Sequence, residues 1–208
     1  MARSDVQLML ETKAGDDSSF ELLLQRYRTP VINFLFRIVR DSATAEDLAQ
    51  EVFIRVYRAR ESYAPSAKFT TWLFRIASNL ALNRLRDSRH QQMEVSLDAP
   101  AGEEDSAMEL PARELRVDQM MVERDRVKLI RCAIDSLPEK QRVAVLLHKY
   151  EEMDYVEIAK VLDCTEAALK SLLFRAYETL RVQLAPLVGG AESPAPAVSV
   201  GTGRGRAI

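Results

Sequence analysis

The sequence predicts an all-α protein: two small helical domains, a bundle and a helix-turn-helix, joined by a flexible acidic linker. Ala, Leu, Arg and Glu dominate its 208 residues, while Gly (7), Pro (8) and β-branched runs are sparse. Apolar residues recur at three- and four-residue steps through most of the chain, the period of helices with one buried face. That rhythm stops at "VSLDAPAGEEDSAMELPARE", which has prolines, a glycine and clustered acids but no apolar face. The expected organisation is a first domain at 1–93, a linker at 94–126, a second domain at 127–186 and a low-complexity, disordered tail at 187–208. At 47% hydrophobic residues, the chain can bury a core in each domain.

Four helical patterns fill the first domain. "SSFELLLQRYRTP" opens on serine caps and turns Phe20, Leu23, Leu24 and Tyr27 to one side; Pro30 is expected to bend or end it, because proline lacks the donor a helix interior needs. "VINFLFRIVR" follows, with Val31, Phe34, Leu35 and Ile38 inward. "TAEDLAQEVFIRVYRAR" begins with Thr44 and Asp47 in a capping pattern and buries Leu48, Ala49, Val52, Phe53 and Val56. Asp47, Gln50, Glu51 and Ile54 then share another face, which is either an ordinary solvated surface or a docking surface. After the loop "ESYAPSA" comes "KFTTWLFRIASNLALNRLRDSRH". In it Phe69, Trp72, Leu73, Ile76 and Leu80 share one face, of which Leu73, Ile76 and Leu80 are read as core. Arg75, Asn79, Asn83, Arg86 and His90 line a second face, and Arg and Asn carry the hydrogen-bonding forks that suit base edges and phosphates.

In the second domain, "DYVEIAKVLDCTEAALKSLLFRAYETLRVQL" reads as two helices and a tight turn. Asp154 and Glu157 form a capping-box pattern, Val156, Ile158, Ala159 and Leu162 pack, "DCT" turns, and Thr165 caps the second helix. Leu169, Leu172, Leu173, Ala176 and Leu180 face inward; Lys170, Ser171, Phe174 and Arg175 face out where a recognition helix meets the major groove. An apolar ring among such neighbours suits a thymine methyl, although a plain antiparallel helix pair has the same pattern. The acids Glu151, Glu152, Asp154 and Glu157 must then point away from phosphate.

The net charge of −2 does not exclude nucleic acid, because charge is segregated. Residues 64–93 hold five basic side chains against Asp87 alone, whereas 94–126 hold ten acids and four arginines. A basic patch acts over about 8 Å at physiological salt, so the local balance matters more than the sum. There is no apolar run long enough to span a membrane and no signal-peptide core at the N-terminus. Cys132 and Cys164 lie in no metal-like spacing and are expected to be small buried hydrophobes in a reducing cytoplasm. His90 and His148 belong to no nucleophile or metal pattern, so an enzyme, a metal site and a cofactor are not expected; both are read as surface or helix-end histidines.

Taken together, "AEDLAQEVFIRVYR", "FTTWLFRIASNLALNRLR", "SLPEKQRVAVLLHKYEEMDYVEIAKVL" and "ALKSLLFRA", in this order, resemble a bacterial sigma factor of the extracytoplasmic-function group. The resemblance covers residues 15–185 and implies a non-catalytic, cytoplasmic subunit that binds core RNA polymerase, through its β′ clamp helices and β subunit, and opens promoter DNA. It implies expression of stress-response genes under the control of an anti-sigma factor. It nominates Asp47, Gln50 and Glu51 for polymerase docking. For the −10 element it nominates Tyr63, Lys68, Phe69, Thr70, Thr71, Trp72, Arg75, Asn79, Asn83 and Arg86, with Trp72 fitting core and DNA equally well. For the −35 element it nominates Lys170, Ser171, Phe174 and Arg175. The acidic linker resembles those that thread the polymerase cleft. The chain departs from the family at Ala167, Ala168 and Leu169, where Gly-Thr-Val is frequent, at Leu172 for an arginine and at Asn83 for an aspartate. These departures bear on which promoter sequences are read. An autonomous dimeric helix-turn-helix regulator and a helical protein-sequestering adaptor are the alternative readings.

Overall fold

A computed structural model describes residues 3–95 and 117–188, in which eight α-helices and no strand occur. The first domain is built from α1 (Asp5–Lys13), α2 (Asp17–Val39), α3 (Ser42–Arg58) and α4 (Phe69–Val95); the second from α5 (Val117–Asp135), α6 (Glu139–Lys149), α7 (Tyr155–Val161) and α8 (Glu166–Val188). The tail beyond residue 188 and the central stretch 96–116 of the expected linker lie outside the described residues.

Four expectations are corrected. The segments either side of Pro30 form one 23-residue helix, α2. Proline forfeits a single backbone bond, and the buried stripe Leu23, Val31, Phe34, Leu35 and Ile38 continues across it. α1 was not anticipated; its Leu8 and Met9 are buried, and Tyr27 and Arg26 of α2 both bond to its Asp5. Gly15, at φ +98°, makes the turn from α1 into α2, a conformation that disfavours any residue with a Cβ. α3 starts before Thr44: its cap is Asp41, whose carboxylate accepts from the Thr44 N–H at 2.7 Å. Helix also enters both ends of the stretch read as linker, since α4 runs to Val95 and α5 begins at Val117.

α2, α3 and α4 pack around Phe34, which meets Phe74 edge-on at 5.1 Å and 85°, with Val52, Val56, Leu73 and Ala77 also buried. Small Ala45, Ala49, Ala77 and Ala81 let helices approach closely, as ridge-into-groove packing requires. In the second domain α6 is buried along Val143–Leu147 and packs against α7 and α8, while α5 packs on α8. The cysteine expectation is also corrected: Cys132 is exposed and Cys164 half-buried.

Candidate nucleic-acid and docking interfaces

The helix-turn-helix forms as its local chemistry dictates. Asp154 accepts from the Glu157 N–H at 2.8 Å, and Glu157 Oε2 accepts from the Asp154 N–H at 3.1 Å, completing the capping box. Asp163 makes the turn with φ 51°, and Thr165 Oγ1 accepts from the Ala168 N–H at 3.2 Å to start α8. Leu169, Leu173, Ala176 and Leu180 are buried and Leu172 half-buried. Lys170, Ser171, Phe174 and Arg175 stand together on the open face, with Phe174 68% exposed. Val156 departs from expectation: it is exposed, leaving Ile158 and Ala159 to fill the core.

The segment 63–86 divides sharply. Arg75, Asn79, Asn83 and Arg86 form a continuous exposed stripe along α4, as the helical spacing predicts, and His90 extends it. Tyr63, Phe69 and Thr71, by contrast, are 2–3% exposed, so in this arrangement their side chains are not presented to a ligand. Tyr63, Phe69 and Trp72 contact one another, with Tyr63 and Trp72 rings 5.1 Å apart and Tyr27 capping Phe69 at 5.4 Å. Burial raises the Tyr63 phenol above its ordinary range, and its hydroxyl has no hydrogen-bond partner among the described residues. Trp72 is half-buried at the edge of this cluster, and Thr70 is half-buried beside it. Of the residues read as core, Leu73 and Leu80 are buried and Ile76 only half-buried. Lys68 is exposed, and its ammonium is raised above the usual lysine range by its hydrogen bond and attraction to Glu157.

On α3, Asp47 and Gln50 are exposed and Glu51 is half-exposed, paired with Arg55 at 2.7 Å. Gln50 and the exposed Ile54 border a cavity of about 690 Å³ between α2 and α3, whose apolar wall includes Phe20, Leu24, Ile32 and Phe53. The sequence puts Phe20 and Leu24 on one side of their helix with Leu23 and Tyr27. The spacing correctly places them on the side of α2 that meets α3, but how closely the helices meet there is decided by their crossing and not by the pattern of either.

One of the acids read as pointing away from phosphate is half-buried. Glu151, after α6, is pushed up to about 7 by desolvation, against the opposing attraction of Arg37. A carboxyl whose folded value exceeds its unfolded value holds more protons when folded, so its contribution to stability is full below about 4.5 and lost as pH rises through about 7. Glu151→Gln is therefore expected to match the parent in urea unfolding at pH 4 and to exceed its midpoint at pH 8. His148 sits in the last turn of α6, its Nδ1 2.6 Å from the Tyr177 hydroxyl; burial, then Lys149, holds its pKa below the ordinary histidine range.

Among the described residues no group of three or more His, Cys, Asp or Glu could hold a metal ion, and no helix is long and apolar enough to cross a membrane. The protein is thus a helical bundle with an exposed basic and amide stripe, followed by a helix-turn-helix whose second helix exposes Lys170, Ser171, Phe174 and Arg175.

Two family descriptions match in the same order as these domains, "Sigma-70 region 2" over residues 23–91 and "Sigma-70, region 4" over residues 128–180. The chain belongs to the sigma-70 family, in its extracytoplasmic-function group: a non-catalytic specificity subunit of RNA polymerase that directs transcription initiation at promoters. It is 34% identical to the RNA polymerase sigma-H factor of Pseudomonas aeruginosa over 188 residues, covering 88% of this chain and 95% of that one. It is 31% identical to the ECF RNA polymerase sigma-E factor of Escherichia coli K12 over 185 residues, 89% and 96% of the two chains. In fold it is similar to CnrH solved with the cytosolic domain of CnrY (TM-score 0.62, 18% identity, 86% and 96% covered). It is similar also to RpoE of Bartonella quintana solved with the anti-sigma factor NepR (0.63, 20%, 80% and 96%).

Proposed function

We propose that this sigma factor reads the −35 element with Lys170, Ser171, Phe174 and Arg175 and captures an opened −10 strand with the Arg75–Asn79–Asn83–Arg86 stripe. The observation that carries the reading is the recognition face of α8. A phenylalanine ring 68% exposed between a lysine, a serine and an arginine has no use in folding, and such a set can meet a thymine methyl, guanine and phosphate together. The α4 stripe supplies cations for backbone and amides for base edges. Trp72 and Thr70, at the rim of the aromatic cluster, are placed to take an unpaired base, with Tyr63, Phe69 and Thr71 supporting them or emerging on rearrangement. Stacking contributes about 1–3 kcal/mol per base against a few kcal/mol for extrusion, so two captured bases offset local melting. Asp47, Gln50 and Glu51, beside an apolar groove into which a partner helix can set a side chain, are the docking face for the β′ clamp helices of the polymerase.

The chain acts in the cytoplasm, where its polymerase is. An anti-sigma factor is its regulator, a reading supported by RpoE of Bartonella quintana, which is solved with the anti-sigma factor NepR, and stress-response genes are its targets.

The test is transcription in vitro with core polymerase on a promoter library, followed by Lys170→Ala and Arg175→Ala. Each is expected to weaken duplex −35 binding by about 1–3 kcal/mol where it meets a base, or to lower the salt slope by about one where it meets a phosphate. Neither should alter co-purification with polymerase. Promoter binding equal to the parent's would rule out the assignment.

A further inference from the structure

α1 carries none of the residues assigned to DNA or to docking, and it packs sparingly: Leu8, Met9 and Thr12 are its buried side chains. Its polar side chains nevertheless reach the aromatic cluster at 63–72 by two routes. In its first turn, Asp5 accepts from the Tyr27 hydroxyl through Oδ2 and from Arg26 through Oδ1. The Tyr27 ring in turn lies 5.4 Å from Phe69, the first residue of α4. In its last turn, Lys13 Nζ donates to the Tyr63 carbonyl at 3.0 Å, across 50 positions of sequence.

Those routes end on the two residues that bracket the loop 64–68. Tyr63 and Phe69 are buried, whereas Ala64, Pro65 and Ser66 are exposed, with a turn bond from the Ser66 N–H to the Ala64 carbonyl at 2.8 Å. Trp72 rests on both anchors, its ring 5.1 Å from Tyr63 and 6.1 Å from Phe69. Asp5 also acts on Tyr63 directly: after burial, its charge helps to hold that phenol above the ordinary range. Burial, then the bond to Asp5, raises the Tyr27 phenol as well, so Tyr27 stays a neutral donor to this carboxylate. Both anchors of the loop thus depend on one helix.

We propose that Asp5, Tyr27 and Lys13 are positioning residues for strand capture: they fix the Phe69 and Tyr63 ends of the loop, so that Trp72 and Thr70 are set at its rim before an unpaired base arrives. The inference rests on the reading of this segment as the −10 face. A platform ordered in advance removes the loop-ordering entropy that strand binding would otherwise have to offset. Lys170, Ser171, Phe174 and Arg175 of α8 take no part in these contacts, so the effect falls on the −10 element and spares −35 reading.

Lys13→Met removes the donor and keeps the stem; Tyr27→Phe removes the hydroxyl and keeps the ring against Phe69. In the free full chain, emission from Trp72, the one tryptophan, should shift to the red and become easier to quench with acrylamide, at unchanged helix content by circular dichroism. In holoenzyme with core polymerase, affinity is compared for two DNAs cut from a promoter selected in the library. One is duplex over the −35 element alone, and the other adds the −10 segment of one strand, unpaired. The gain in affinity from the unpaired strand should fall about three- to tenfold in each variant, the range for one lost hydrogen bond, with duplex binding at the parent's level. Lys13→Arg restores a donor for the Tyr63 carbonyl and should recover the gain. An unmoved gain in both variants overturns the proposal, whatever Trp72 reports. Equal losses on both DNAs, or a loss that Lys13→Arg does not recover, overturn it as well, since they mark general damage to the fold. If the parent itself gains nothing from the unpaired strand, the −10 reading falls first and the proposal with it.

Discussion

Phe34→Ala is expected to cost the first domain about 3–5 kcal/mol, the range for deleting a fully buried aromatic ring. Phe34 is 0% exposed at the centre of α2 and contributes one half of the edge-on pair with Phe74 that joins α2 to α4. Part of the loss is apolar area returned to water, part is the cavity left among side chains that relax only partially, and part is the aromatic pair itself, about 0.5–1.5 kcal/mol. Against a total stability of about 5–15 kcal/mol this is a large share. Urea unfolding followed by tryptophan fluorescence reads it directly, because Trp72, the chain's one tryptophan, lies in the same domain. Phe174→Ala deletes the same ring from a site 68% exposed and is expected to change stability by less than about 0.5 kcal/mol. A comparable loss from both substitutions would mean that Phe174 is not on an open face.

Arg142→Met is expected to destabilise the second domain by about 2–3 kcal/mol, through hydrogen bonds rather than packing. Its guanidinium donates to the Asp135 carbonyl and to the Leu137 carbonyl at 3.4 Å, tying the turn between α5 and α6, and reaches across to Ile38. Methionine fills similar volume but leaves those carbonyls without the donor, and bonds from a charged donor are worth about 1.5–3 kcal/mol. The side chain is 13% exposed, and burial lowers its pKa against the support of Asp135, which marks the donor as one kept charged by its partners. Calorimetry should show the loss, and Arg142→Lys should recover only part of it, since an ammonium cannot fork across three carbonyls.

How much could be read without coordinates varies by level. Helix phases were legible wherever a long apolar stripe met a capping residue: Asp154 with Glu157, Thr165, and the Leu169–Leu173–Ala176–Leu180 row all stand as their spacing implies. The exposed faces of α8 and of the later turns of α4 followed from the same periodicity. Pro30 misled because a local rule was weighed without the packing that overrides it, and Thr44 misled because Asp41 offers the better carboxylate three residues earlier. α1 carried too weak a stripe to stand out, its burial depending on Leu8 and Met9 alone among its large apolar side chains.

The aromatic residues at 63–72 show where sequence stops. Tyr63, Phe69 and Trp72 have the composition of a base-binding surface and the spacing of a core, and only the arrival of Tyr27 from α2 decides that Phe69 is buried. The sequence by itself determined the helical class, most helix phases, the family and the outward face of α8, because those depend on residues within a few turns of one another. Which helix faces another was decided by tertiary structure, as was the meeting of Glu157 with Thr71 across 86 positions. Periodicity specifies the face of a helix about its own axis, and the partner of that face is chosen only when distant segments compete for the same surface.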